Sequence, residues 1–261
     1  MKYDAGADAY DRLTGRWSRL YASALVEAAD ASHASVVLDL ATGTGDAALV
    51  ASQRVKAAGT VIGVDISVPM LRVAKTKASV LKVHFVAADC MALPFADGTF
   101  DAVICQFGFM FFPNRVTALM EIRRVLRPSG RIALTVWGPP DRAPFAGIMA
   151  QALGSELPTI RDELLLPFAL GNPIELKQLL TFAGLRDVHI GLQTRHANFD
   201  SVDDFLDPYE QGGGRLGQAY LQLPPVARAT VRQNALSRLA DYTQGNGITM
   251  ELDAYLASGI V

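Results

Sequence analysis

The sequence predicts an α/β fold: a doubly wound, mostly parallel sheet with helices on both faces. Three observations point there. Val36 to Ala48 reads VVLDLATGTGDAA, a β-branched and aliphatic run that ends in Asp39, turns through glycines and opens a helix near Asp46. Across the first half, apolar runs of strand length alternate with stretches of helical periodicity, the pattern of repeated βαβ units. The 261 residues are 50% hydrophobic and 19% charged, enough for a sizeable core and too apolar for wholesale disorder.

Taken in order, residues 7–29 form a helix that ends near Asp30. Strands follow over 36–40, 60–65, 83–87, 100–105 and 131–137. The intervening helices cover 47–57, 69–80 and 115–126, each with apolar residues near helical spacing. Right-handed crossovers then place a ligand at the carboxyl ends of the strands, near the switch in strand order. After Trp137 the alternation stops. A Pro-rich connector over 138–144 precedes a helix at 145–153. A second helix over 175–183 is closed by Gly184 at the position of a C-terminal cap. Residues 188–199 are β-prone, and Ser201 with Asp204 opens a capped helix over 201–209. Gln211 to Arg215 is a flexible break, 224–241 returns to helix, and 248–258 is the last strand.

Composition narrows the function classes. A net charge of −2 argues against a nucleic-acid partner. Arg123, Arg124, Arg127 and Arg131 read as solvated helix ends and turns. Cys90 and Cys105 have no metal-ligand spacing, and four scattered histidines add no metal motif. No metal is expected. Few cysteines, no secretory leader and no apolar run of membrane-spanning length lead to the expectation of a cytoplasmic chain. Oligomeric state is not legible.

The glycine turn alone leaves two cofactors open. Gly43-Thr-Gly45-Asp-Ala-Ala48 satisfies the loose dinucleotide pattern, and Asp65 stands 20 residues beyond Gly45, as a nicotinamide fold requires. A carboxylate there accepts from ribose hydroxyls whichever cofactor carries the ribose.

Four pieces decide between them: Leu38-Asp-Leu-Ala-Thr-Gly-Thr-Gly-Asp46, Gly63-Val-Asp-Ile-Ser67 with Met70-Leu71, the run from Ala88 to Asp101, and Arg123-Arg-Val-Leu-Arg-Pro-Ser-Gly-Arg131. In this order and spacing they resemble the class I S-adenosylmethionine (SAM) methyltransferases, particularly the ubiquinone and menaquinone C-methyltransferase branch. The resemblance covers roughly residues 36 to 137. It implies a Rossmann-like, seven-stranded sheet with an antiparallel strand near one edge. Helical insertions would form a cap. By the same resemblance the chain divides into a lid over 1–35, a SAM-binding core over 36–137, and a cap plus the last strands over 138–261.

The resemblance also implies roles. Asp39, Thr42, Gly43 and Gly45 would surround the methionine part of SAM, with Ala41 in the slot where many relatives carry the first glycine. Asp65 would hold the ribose and Ile66 one adenine face, with Met70 closing over the base. Ala88, Asp89, Cys90 and Met91 would frame the adenine, Asp89 accepting from its amine. S-adenosyl-L-homocysteine would be the product. Gln106, just past the fourth strand, would lie beside the methyl group. The acceptor is expected to be a small, aromatic or apolar molecule methylated at oxygen or carbon. Its pocket candidates are Tyr10, Trp17, Phe109, Phe111 and Tyr209. No general base declares itself; Gln106 and His196 are the weak catalytic candidates. A non-methylating protein that binds SAM on this fold stays open as an alternative, and behind it a nicotinamide-dependent oxidoreductase.

Overall fold

The computed structural model describes residues 7–34, 36–78 and 82–261. One sheet organises the chain, built from β1 (Val36–Leu40), β2 (Thr60–Asp65), β3 (Val83–Ala87), β4 (Phe100–Gln106), β5 (Leu126–Trp137), β6 (Arg186–Phe199) and β8 (Gly247–Ile260). Their order is β3-β2-β1-β4-β5-β8-β6, and the two-residue β7 (Thr243–Gln244) folds back on β8. The first five strands are parallel. β8 runs antiparallel to both β5 and β6, so the reversed strand stands one place in from the edge. Strand order reverses between β1 and β4. A crevice therefore opens above the carboxyl ends of these two strands.

The helices are α1 (Ala7–Tyr10), α2 (Arg16–Ala28), α3 (Asp46–Ser52), α4 (Val68–Lys77), α5 (Arg115–Val125), α6 (Pro144–Glu156), α7 (Arg161–Leu164), α8 (Pro173–Phe182), α9 (Val202–Glu210), α10 (Gly214–Leu221) and α11 (Pro225–Leu239). Their starts reflect local chemistry. Asn114 accepts from the Thr117 N–H and Ser201 from that of Asp204, both at 3.0 Å, each satisfying an otherwise orphan donor. Gly184 follows α8 at φ +84°, a conformation that lets the chain turn into β6. Among the described residues, no helix is long and apolar enough to cross a membrane.

The two faces of the sheet are packed differently. Small residues dominate beneath α2 and α3, where Ala29, Ala47, Ala48, Ala51, Ala102 and Ala133 pack around Leu25 and Ile104. Larger side chains fill the opposite face, including Phe100, Leu119, Ile122, Leu176 and Leu180. Each such burial contributes about 1.5–3 kcal/mol before the opposing loss of chain entropy is subtracted.

Five expectations need correction. The helix over 47–57 stops at Ser52. The helix over 7–29 is interrupted by a π-helical segment, Asp11–Gly15. Asp11 is drawn out to partners on α2, α4 and the glycine loop, and a Cβ on Gly15 would stand 2.8 Å from its Oδ1. β5 begins at Leu126 rather than Arg131. The Arg-Pro-Ser-Gly turn is a bulge within the strand: Phe100 pairs with Leu126 and Ala102 with Arg131, and Ser129 takes φ +65°. The flexible break from Gln211 to Arg215 is a tight turn that runs directly into α10, with Gly214 at φ +63°. The helix expected over 69–80 closes at Lys77, and its residues 79 and 80 lie outside the described residues.

Candidate active site

A cavity of about 450 Å³ occupies the crevice at the switch point. Its floor is made by the loops at the strand ends: Ala41 and Gly43 after β1, Asp65 and Ile66 at the end of β2, and Asp89 to Met91 after β3. Gln106 to Gly108 and Trp137 continue it at the ends of β4 and β5. Tyr10, Leu13 and Thr14 close it from the N-terminal segment. Phe145, Tyr209 and the turn from Gly213 to Leu216 close it from the cap.

The glycine loop is held by its own backbone. The Thr42 N–H donates to the Val64 carbonyl at 2.9 Å, and that of Gly45 to the Thr42 carbonyl at 2.8 Å. Ala41 takes φ +51°, an uncommon conformation for a residue with a Cβ and one that costs roughly 1 kcal/mol. Its methyl group also constrains the loop after β4, because a Cβ on Gly108 would stand 2.5 Å from the Ala41 Cβ. Residue 108 must therefore be glycine. Phe107, also at φ +51°, turns its ring flat onto Trp137 with centroids 3.7 Å apart. Two strained non-glycine residues thus stand in the floor, where strain tends to be stored at functional sites.

Asp65 ties the loop to β2. Its Oδ2 accepts from the Gly43 N–H and its Oδ1 from the Ser67 N–H, both at 2.8 Å. Burial raises its carboxyl above the usual range, and the backbone N–H groups of Ser67, Gly43 and Ile66 pull it back in part. An ionised carboxylate offers about four acceptor sites, so capacity remains toward the cavity. Ile66 beside it is 72% exposed, an apolar face presented to open space. Asp89 accepts from the Met91 N–H at 2.8 Å, while burial pushes the neighbouring Cys90 thiol up to about 12. Met70, buried on α4, completes this end.

A nucleoside cofactor fits these residues on one physical ground in particular. A Cβ on Gly43, at φ +55°, would meet nothing nearer than the Ala41 carbonyl at 4.0 Å. The backbone is bare where it faces the cavity, as a closely approaching ligand requires.

Not every expected site residue reaches the cavity wall. Asp39 is fully buried under the loop. Its Oδ2 accepts from the Thr42 hydroxyl at 2.6 Å, and its Oδ1 lacks a hydrogen bond of good geometry. Burial raises this carboxyl to about 7. Asp39 and Thr42 therefore act beneath the loop rather than on its surface. Gly45 is likewise set back, where a Cβ would press on Ala74 at 3.0 Å, and Ala88 lies off the wall with its N–H on the Asp65 carbonyl. Trp17 is core, tilted against Phe199 at 4.8 Å, and Phe109 is fully buried beside Phe112. Neither lines the cavity, because each lies on the helical face that packs inward. His196 sits on the exposed side of β6, 3.6 Å from Glu251 and away from the cavity. Gln106 does line it. Its amide Nε2 donates to the Ser18 carbonyl at 2.6 Å, and its Oε1 is buried with no partner. Tyr10, Phe111 and Tyr209 also reach the wall, and the Tyr209 hydroxyl donates to the Phe145 carbonyl.

Two groups of wall and hinge residues escape sequence reasoning. Trp137, at the end of β5, stacks on Phe107 beside the end of the neighbouring β4, and the cap adds Phe145 and Arg215. The second group is the attachment of the N-terminal segment. Asp11 Oδ1 accepts from the Thr44 hydroxyl at 2.6 Å and from Lys77 Nζ at 2.9 Å, and Arg19 approaches its Oδ2 at 3.4 Å. Burial alone would raise this carboxyl. The hydrogen bonds from Thr44 and Lys77 and the neighbouring positive charges hold it below the usual range instead. Asp11 thus latches the segment carrying Tyr10, Leu13 and Thr14 onto the glycine loop. Asp11→Ala is expected to speed tryptic cleavage at Arg12 and Arg16 by about tenfold, the loss of one charge-assisted pair. An unchanged cleavage rate in a fold-intact variant would show that the segment is held by its apolar contacts alone.

The strand order and the ring of loops around β1, β2, β3 and β4 define a class I SAM methyltransferase fold. The family described as "Methyltransferase domain" matches residues 37–130. The chain is 48% identical over 111 residues to a demethylmenaquinone methyltransferase of Thermus thermophilus, covering 42% of this chain and 50% of that protein. It is 35% identical over 162 residues to the demethylmenaquinone methyltransferase of Corynebacterium kroppenstedtii, covering 60% of this chain and 68% of the relative. The chain belongs to this branch of the SAM-dependent methyltransferases, and it spans from about half to about two thirds of the length of these curated relatives. Among solved structures, the YcgJ protein of Bacillus subtilis shares the fold, with a TM-score of 0.61 at 22% identity over 92% of this chain and 98% of that one.

Proposed function

We propose that this chain is a SAM-dependent methyltransferase acting at oxygen or carbon of a small aromatic or apolar acceptor. The observation that carries the reading is one cavity whose wall carries two chemically distinct sets of residues, with Gln106 also lining it. Asp65, Ile66, Met70 and Asp89 lie on the β2 and β3 side. Phe111, Trp137, Phe145 and Tyr209 form the other end, on the β4 and β5 side under the cap.

SAM, when bound, supplies a methyl group made electrophilic by its sulfonium. In this reading Asp65 accepts from the ribose hydroxyls, Ile66 covers one face of the adenine, and Asp89 accepts from its amine. The chain's remaining work is to orient the acceptor and exclude water. Leu13 and Tyr10 roof the cavity, and the stacked Phe107 and Trp137 rings give a flat apolar wall. The division into a lid over 1–35, a core over 36–137 and a cap over 138–261 belongs to the same reading. The cap lies outside the matched residues 37–130 and is where specificity should reside.

Calorimetric titration with SAM, followed by single-turnover transfer from labelled SAM to a panel of phenols, quinols and amines, tests this. Methylated phenol or quinol is the expected product. Transfer only to protein or RNA would refute the acceptor class. Tight SAM binding with no methylated product from the true ligand would favour a non-methylating role.

A further inference from the structure

At Trp137 the chain leaves β5 and crosses to the cap, and the crossing is fastened to β8 at one place. The Gly138 N–H donates to the Asp253 carbonyl at 2.9 Å, and the Asp253 N–H donates to the Arg142 carbonyl at 2.8 Å. The side chains repeat the link. Arg142 Nε donates to Asp253 Oδ2 at 2.8 Å, and a second guanidinium nitrogen stands 2.7 Å from the same oxygen. Asp253 Oδ1 accepts from the Thr194 hydroxyl on β6 at 2.6 Å. The Asp253 side chain is only 4% exposed, so Arg142 balances an enclosed carboxylate that would be costly to leave alone. The connector itself is packed without slack: a Cβ on Gly147 would overlap the Pro140 carbonyl, and one on Gly171 would stand 2.9 Å from the Pro139 nitrogen.

What this clasp holds is the aromatic end of the cavity. Trp137 stands just before the connector, and Phe145 lies in the first turn of α6 just after it. Trp137 stacks flat on Phe107, and its ring meets that of Phe145 edge-on with centroids 4.9 Å apart. Phe145 in turn fixes Tyr209, whose hydroxyl donates to its carbonyl at 2.6 Å. Trp137, Phe145 and Tyr209 line the cavity, whereas Arg142 and Asp253 do not. We propose that Arg142 and Asp253 are positioning residues: their ion pair sets the rings against which the acceptor lies, and it leaves the β2 and β3 side untouched. Alignment of an acceptor with a transferred group is sensitive to such support, since a displacement of about 1 Å can cost about 100-fold in rate. The inference rests on the aromatic end being the acceptor site proposed above.

Trp137 reports on the wall directly. The chain has two tryptophans, and the other, Trp17, has an indole N–H with no hydrogen bond to lose, so Trp17→Phe leaves Trp137 as the single indole probe. Trp137 is 3% exposed and should be shielded from acrylamide. In that background, Arg142→Met is expected to raise the acrylamide quenching constant at least about threefold. By calorimetry it should weaken binding of 1-naphthol, a flat apolar phenol, about tenfold and leave SAM affinity within about twofold. Arg142→Lys should give intermediate values, an ammonium keeping the charge without the fixed pair of donors. Asp253→Asn, which keeps an oxygen for Thr194, carries the test if the methionine variant fails to fold. Unchanged quenching in a folded variant overturns the proposal. So does a loss of SAM affinity in step with that for 1-naphthol, the mark of general loosening. A wild type that does not bind 1-naphthol overturns the reading of the aromatic end as the acceptor site, whereas equal binding by wild type and folded variant overturns the positioning role alone.

Discussion

Asp65→Ala is expected to weaken SAM binding by about 100-fold or more. Two ribose hydroxyls donating to one carboxylate are each worth about 1.5–3 kcal/mol, and no other acidic group at the end of β2 can replace them. A second effect adds to the first. Asp65 also accepts from the N–H groups of Gly43 and Ser67, so alanine orphans two donors and loosens the loop that the cofactor would touch. That loss costs stability as well, about 1–3 kcal/mol for each donor left without water. Asp65→Asn separates the contributions. It keeps one oxygen for the backbone and removes the charge, so the fold should hold while affinity falls to an intermediate level. Calorimetry read beside thermal melts decides the matter. An alanine variant that melts normally and binds SAM within a few-fold of wild type would remove Asp65 from the cofactor site.

The end proposed for the cofactor was more legible in the sequence than the end proposed for the acceptor, for a physical reason. β1 to β3 are short and locally encoded, and each leads directly into its loop, so the positions of Gly43, Asp65 and Asp89 can be read from chain order. β1, β2 and β3 keep the bounds read from their apolar runs. Side-chain direction is a different matter. Asp39 and Thr42 bond to each other beneath the cavity, which no spacing rule distinguishes from lining it. Trp17 and Phe109 belong to stretches in which some rings point inward and others do not, and composition cannot choose among them. Arg215 is the extreme case. It reaches the site only because Gly212, Gly213 and Gly214 permit a turn whose backbone no larger residue would adopt: a Cβ on Gly213 would stand 2.7 Å from the Pro208 carbonyl oxygen. Read along the chain, the same glycines signal a flexible break. In space they are the hinge that brings a guanidinium against Phe111.

Asp39→Asn is expected to change stability and function in opposite directions. Burial raises the Asp39 carboxyl from about 4 in the unfolded chain to about 7 in the folded one, because the folded protein prefers the neutral form. The native state thus binds the proton more tightly than the unfolded state, so this group's contribution is most favourable below about pH 4. It is lost progressively as pH rises to about 7, and it is constant above that. The whole interval is worth up to about 4 kcal/mol. Asparagine carries no titration and can still accept from the Thr42 hydroxyl. The variant should therefore be the more stable protein at pH 8, and the difference should shrink steadily toward pH 5 in urea midpoints measured across that range. A buried carboxylate that costs stability at neutral pH persists only where its charge is used. Under the glycine loop, that charge would favour the ammonium end of SAM. Asp39→Asn should accordingly bind SAM more weakly, by about tenfold, at the pH where it melts highest. Parallel stability profiles for the two proteins would show that Asp39 is already ionised and satisfied in the free protein. Unchanged SAM affinity would assign it to the loop's architecture alone.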